Sequence, residues 1–201
     1  MRKKLCGLGT VFLLALAYAL DTEGVFPYFV AATVLHELGH VAAVYACGGR
    51  VRGFAPVPFG FCIRFDGMLS YWRDAVIAGG GAAMNLMSAF CLSVAAKYSP
   101  GVEALSLAAG VNLLLGLFNL LPALPLDGGR MLYALMAQLT DDRRALMVTR
   151  VVSLIVGAAA GALGVYILVK TRYNMSILAV SGLILGGTYA QGAGKNITAR
   201  A

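Results

Sequence analysis

Only two histidines occur in the 201 residues, and both fall in one pentapeptide, His36-Glu37-Leu38-Gly39-His40. On a helix, residues four apart share one face, one turn above the other. Two imidazoles so placed can reach one ion at about 2.0–2.1 Å. Glu37 is one residue on, so it points to the side of that face. There it can touch the water that such an ion activates without binding the ion itself. Two histidine ligands beside a carboxylate base are the pattern of a zinc hydrolase. The bland alternative is a pair of neutral histidines hydrogen-bonded inside a helix bundle. The flanking sequence favours chemistry. "TVLHELGHVAAVYACGG", Thr33 to Gly49, would otherwise suit the interior of a membrane span. Ionisable groups there are costly and mark function by default.

The elements that must position these residues are membrane elements. Sixty percent of the residues are hydrophobic, twelve percent are charged, and the mean hydropathy is +0.80. An average soluble domain carries about twice that charge. The net charge of +7 suits loops held on the cytoplasmic side. No Lys/Arg-rich run with interleaved aromatics supports nucleic-acid binding. Cys6, Cys47, Cys62 and Cys91 form no CxxC pair, which argues against a thiolate zinc site and a disulfide framework.

Six apolar blocks follow one another: Leu5 to Leu20, Val25 to Cys47, Ala75 to Ala96, Val102 to Leu121, and stretches within Ala145 to Val169 and Met175 to Ala190. A span takes about 20 apolar residues. The first and sixth blocks are short, so five spans are an alternative to six. The first block follows Arg2, Lys3 and Lys4 and contains "ALAYA", Ala15 to Ala19, so it also reads as a cleavable signal peptide. Breaks on one side hold Arg50, Arg52, Arg64, Arg73, Arg130, Arg143, Arg144 and Arg150, and the tail adds Lys195 and Arg200. Breaks on the other side hold only Lys97, Lys170 and Arg172. The positive-inside rule makes the first side cytoplasmic, together with both termini.

Two breaks are longer than connectors need. Gly48 to Asp74 is too apolar for a solvated loop and too rich in Gly and Pro for a helix, so it reads as a re-entrant, β-like segment. Such backbone is tolerated at membrane depth only when buried in protein or lining a wet cavity. In "LLPALPLDGGRML", Leu120 to Leu132, Pro122 and Pro125 end or break the fourth span. The expected fold is therefore an all-α integral membrane protein of about six transmembrane helices, with a re-entrant β-like segment between the second and third. It forms one polytopic domain over residues 1–201, with a core at about 5–140 and accessory helices at about 141–190.

A catalytic zinc typically takes three protein ligands. The third cannot be His, so it falls to the nine carboxylates. Asp21, Glu23 and Glu103 lie on the far side in this topology. Asp141 and Asp142 read as a solvated cap before the fifth span. Asp66 and Asp74 stay open as weaker candidates. Asp127 sits at the broken cytoplasmic end of the fourth span, and Gly128 and Gly129 let neighbouring backbone approach closely. It is the favoured third ligand, the alternative being a turn Asp at a helix N-cap.

"HELGH" in the second span, with "FNLLPALPLDGG" (Phe118 to Gly129) at the end of the fourth, resembles the site-2 protease family of intramembrane zinc metalloproteases. The resemblance covers about Leu5 to Thr140. It implies that Asp127 is the third zinc ligand and that Asn119, eight residues earlier, helps orient substrate. A further family element, Gly-Pro-x-x-Asn, maps to Gly81-Ala82-Ala83-Met84-Asn85, with Ala82 where Pro is usual. It makes Asn85 a second substrate contact. Asparagines in spans also glue helices together, the role expected for Asn112. No PDZ-like or CBS-like domain is evident, which places the chain nearest the compact sporulation-type branch, though without that branch's usual C-terminal CBS module.

The expected activity is hydrolysis of a peptide bond in or near a transmembrane segment, in regulated intramembrane proteolysis. Zinc sits on His36, His40 and Asp127, with Glu37 as general acid–base. The resemblance implies a membrane-tethered regulator as substrate, such as a sigma-factor precursor or anti-sigma factor, in a bacterial cytoplasmic membrane. Two other classes fit parts of the pattern: a transporter or channel using His36, Glu37 and His40 as a metal or proton pathway, and a non-catalytic membrane scaffold.

Overall fold

The computed structural model describes residue 21 and residues 23–57, 60–66, 70–99, 101–172 and 176–193. The first expected span, Leu5 to Leu20, and the basic tail lie outside these. The elements are α1 (Phe26–Ala46), β1 (Arg50–Val57), β2 (Gly60–Asp66), α2 (Tyr71–Tyr98), α3 (Glu103–Asn119), α4 (Asp127–Leu139), α5 (Asp142–Thr171) and α6 (Ser176–Ala193). They fall into two compact units. One takes Met1–Gly67 and Gly80–Leu117, and the other takes Met68–Gly79 and Phe118–Ala201.

In the first unit, α1 starts where the Asp21 carboxylate accepts the backbone N–H groups of Val25 and Phe26 at 2.9 and 2.8 Å. These are donors that a helix start leaves without intrahelical partners. Pro27 occupies the first turn, where its missing N–H costs nothing. The helix ends because Gly48 adopts a left-handed φ of 78°, with Gly48 N–H on the Tyr45 carbonyl and Gly49 N–H on that of Val44.

β1 and β2 then form an antiparallel hairpin running from Arg50↔Asp66 to Val57↔Gly60, irregular between Val51 and Gly53. It lies against α1. The β-like character expected of Gly48 to Asp74 is present as these two strands.

The crossing of α1 and α2 is made by glycine. A Cβ on Gly39 would lie 2.4 Å from the Gly80 carbonyl oxygen, and one on Gly80 would lie 2.7 Å from the Ala43 Cβ. Only bare backbone allows that approach, as small residues do between membrane helices generally.

In the second unit, the chain from Phe118 to Leu126 turns tightly around its prolines and leads into α4. A helix opening at "DGGRML", the alternative weighed for Asp127, is present as α4, and its buried residues are Asp127, Gly128, Gly129, Tyr133, Ala134 and Ala137. Asp141 caps α5 by accepting the Arg144 N–H at 3.2 Å, and it is exposed, as expected of a solvated cap. Helices α5 and α6 pack through Gly157, Gly161 and Gly164. A Cβ on these would meet Leu185, Ser181 and Leu178 at 2.7, 2.9 and 2.9 Å. Ala123, Leu126 and Ile184 form a buried cluster that Phe118, Val156, Val180 and Leu183 surround.

Among the described residues, α1, α2 and α5 are long and apolar enough to cross a membrane. Helix α3 and the stretch Ile177–Tyr189 are shorter apolar helices. The 17 residues of α3 rise only about 25 Å, short of a hydrocarbon core of about 30 Å. Pro122 and Pro125 stop the apolar block before it completes the length.

Candidate metal centre

The buried face of α1 consists of Ala32, His36, Gly39, His40 and Val44, the i, i+4 stripe that the sequence spacing requires. His36 and His40 are each 7% exposed. Their rings stand edge to face with centroids 4.8 Å apart, and the two Nε2 atoms face each other at 3.2 Å. Two imidazole nitrogens on one tetrahedral zinc would stand about 3.3 Å apart, from bonds of about 2.0–2.1 Å. The pair already has the separation of two corners of a zinc site.

Which nitrogen of His36 carries its proton is decided by an amide relay from α2 and α3. The Asn112 Nδ2 donates to the Ala108 carbonyl at 2.9 Å, which turns its Oδ1 towards Asn85. The Asn85 Nδ2 donates to that Oδ1 and to the Ala32 carbonyl, both at 2.9 Å. Both acceptors lack a proton, so the Asn85 amide has one orientation, with Oδ1 towards His36. His36 Nδ1 lies 2.7 Å from that oxygen and must donate. Its Nε2 is left with a bare lone pair, the form that a metal ligand needs.

Asn85, expected as a substrate contact, lies against His36. It is fully buried, and it holds the ring of His36. Asn112 does join helices, as expected, and its bond reaches the metal-binding face through Asn85.

Gly81, the first residue of the Gly81-Ala82-Ala83-Met84-Asn85 element, also belongs to this site. A Cβ on Gly81 would lie 2.6 Å from the Nε2 atoms of both His36 and His40. Glycine at this position leaves the space beside both Nε2 atoms free of a side chain. The signal was present as Gly81-x-x-x-Asn85, a spacing of four that puts both residues on the same side of α2. Glu37, one position round α1, is half-buried.

In the second unit, Asp127 is the first residue of α4 and is 8% exposed. It does not cap the helix: the N-cap is Leu126, whose carbonyl accepts the N–H groups of Gly129 and Arg130. The N-cap alternative for Asp127 is thereby removed. A carboxylate at a helix start is favoured by the positive end of the helix dipole, and Arg130 stands 3.7 Å away. A Cβ on Gly128 would lie 2.3 Å from the Leu120 carbonyl oxygen, and one on Gly129 would lie 2.6 Å from the Leu124 nitrogen. The two glycines let the proline loop fold onto the first turn of α4. Asn119, the last residue of α3, is half-buried. Of the weaker ligand candidates, Asp66 pairs through its backbone with Arg50, and Asp74 lies in the first turn of α2.

Residues 95–163 match Peptidase family M50. The M50 segment runs from the end of α2 through the Asp127 turn into α5. A Synechocystis sp. protein that carries a provisional name as a zinc metalloprotease is 31% identical over 140 residues, covering 67% of this chain and 35% of the relative. A Mycobacterium tuberculosis protein, also provisionally named a zinc metalloprotease, Rip3, is 35% identical over 129 residues, covering 60% of this chain and 33% of that one. The chain thus spans about a third of the length of these curated relatives. The fold is similar to that of a solved structure titled site-2 protease, from Methanocaldococcus jannaschii. The TM-score is 0.67 and the identity 21%, over 91% of this chain and 85% of that one. With its apolar helices and its M50 segment, the chain is a multi-pass integral membrane protein.

Proposed function

We propose that the protein is an intramembrane zinc metalloprotease of the site-2 type, with zinc held by His36, His40 and Asp127. Each of the three is buried and offers one ligand atom. The observation that carries the reading is the pair of Nε2 atoms 3.2 Å apart, one of them stripped of its proton by the Asn85 amide. Gly81 keeps the space beside both nitrogens free of a side chain. The M50 match and the zinc metalloprotease names of the relatives support the same reading.

Zinc in such a site supplies Lewis acidity, lowering the pKa of a water towards 7 and polarising a carbonyl. Glu37 takes the water's proton as the water attacks the scissile carbonyl, then gives that proton to the leaving amine. Asn85 keeps His36 in the ligating tautomer. Asn119 hydrogen-bonds the substrate backbone near the cut.

The substrate is a transmembrane or membrane-associated segment, unwound at the cut because helical carbonyls are already bonded. The β1–β2 hairpin offers a strand edge for that unwound peptide. The pattern of arginines supports a cytoplasmic opening, with both termini on that side of a bacterial cytoplasmic membrane. A membrane-tethered regulator, such as a sigma-factor precursor or anti-sigma factor, is the substrate class that the family resemblance suggests.

The test is trapping with Glu37→Gln in native membranes, followed by mass spectrometry of retained peptides. Bound zinc with an accumulated membrane peptide is the expected result. Zinc flux that responds to Glu37→Gln would instead identify a transporter. Unchanged behaviour in both Glu37→Gln and Asp127→Asn would identify a scaffold.

A further inference from the structure

The helices α5 and α6 beyond residue 141 include no motif of the resemblance, yet their buried hydroxyls reach the loop that carries Asp127. Leu124 is 1% exposed and lies three residues before Asp127. In the turns around it, Ala123 N–H goes to the Leu121 carbonyl and Leu126 N–H to the Ala123 carbonyl, which leaves Leu124 N–H to a side chain. A buried backbone N–H needs an acceptor. Ser153 of α5, fully buried, is that acceptor at 2.9 Å. Its own proton goes to the Thr149 carbonyl at 2.7 Å, so its oxygen is turned lone-pair first towards the loop.

From α6, Thr188 lies against the other side of the same residue. Its one proton is divided between the Ile184 carbonyl at 2.7 Å and the Leu124 carbonyl at 3.1 Å. The Pro125 ring rests on Gly187, where a Cβ would lie 2.5 Å from its Cδ. Gly129 in turn sits against Leu124 nitrogen, so the surface that fixes the first turn of α4 is the surface these hydroxyls hold.

We infer that Ser153, with Thr188 in support, is a positioning residue for the metal-ligand carboxylate: it holds the Leu124 backbone, against which the Asp127–Gly129 turn is set. The inference rests on the reading of Asp127 as a zinc ligand. Of the two contacts, Ser153 is the stronger, because the Thr188 proton is shared and the Ser153 lone pair is not.

The experiment measures zinc affinity by chelator competition, and the visible spectrum of the cobalt-loaded protein, on the full chain in detergent. Ser153→Ala should weaken zinc about tenfold, the lower end of the range for groups that orient ligands. Its cobalt spectrum should move towards that of Asp127→Ala. Added to Asp127→Ala, the same change should cost nothing further. Thr188→Val should show a smaller effect of the same kind, and Thr188→Ser, which keeps the hydroxyl, should restore it. Wild-type affinity and spectrum in Ser153→Ala would overturn the inference. So would equal weakening with and without Asp127, because that is the mark of a general loss of fold. If Asp127→Ala itself leaves affinity and spectrum unchanged, the ligand reading fails first and this inference fails with it.

Discussion

Gly81→Ala adds a single methyl group and should cost the protein its metal without weakening α2 as a helix. The added carbon would stand 2.6 Å from the Nε2 atoms of both His36 and His40. Non-bonded carbon contacts settle at about 3.5 Å or more, so each ring would have to retreat by about 0.9 Å. Metal sites tolerate departures of about 0.2 Å in ligand distance. The displacement is several times that, and it falls on both imidazoles at once. His36 cannot turn away without breaking its 2.7 Å bond to Asn85. We expect zinc affinity to fall by at least about 100-fold, equivalent to about 2.7 kcal/mol. Alanine is the better helix former by about 1 kcal/mol, which offsets part of the cost of displacing the two rings in the metal-free protein.

Gly80→Ala, one residue earlier, is the internal comparison. Its methyl would strike Ala43 Cβ and the Gly39 carbonyl oxygen, each at 2.7 Å, so it should lower the melting temperature through the helix crossing. Chelator-competition titrations and circular-dichroism melts of both variants read the two effects separately. Wild-type zinc affinity in Gly81→Ala would refute the placement of the ion beside this glycine.

Three further outcomes follow from the same geometry. Asn85→Leu removes the acceptor that fixes the His36 tautomer and should weaken zinc by about 10–100-fold, measured by chelator competition; an unchanged affinity would deny the relay its role. Glu37→Gln should retain zinc while slowing peptide hydrolysis by about 10²–10⁴-fold, read in a cleavage assay with a membrane substrate segment. Stripping zinc with a chelator should abolish hydrolysis, and adding zinc back should restore it in the wild-type chain but not in Gly81→Ala.

Parts of this design are local, and those parts are legible in the sequence. The limits of α1 follow from Pro27 at its start and Gly48 past its end, and the structure places them at Phe26–Ala46. The pairing of His36 with His40 follows from helical spacing alone. The strands follow from the Gly- and Pro-punctuated run after Gly48, of which only the end, from Tyr71, joins α2. The parts that stayed hidden depend on distant backbone. Asn85 reads as a polar residue free for substrate until the Gly39–Gly80 contact brings α2 against α1. Gly81 is marked in the sequence only as the first residue of the Gly81-Ala82-Ala83-Met84-Asn85 element, and its place beside the two imidazoles appears only in the structure. Ser153 and Thr188 are unremarkable hydroxyls in apolar helices, and nothing within four residues of either reveals a partner at Leu124.

The amide relay also bears on how fast the site can be loaded. An imidazole moves its proton from one nitrogen to the other by way of solvent, and His36 is buried. Asn85 removes the need for that exchange, because the ring is already in its ligating form before any ion arrives. Capture at His36 is then limited by delivery of the ion and not by proton rearrangement. The His36 ring would therefore stand in its ligating form as soon as α1, α2 and α3 have packed.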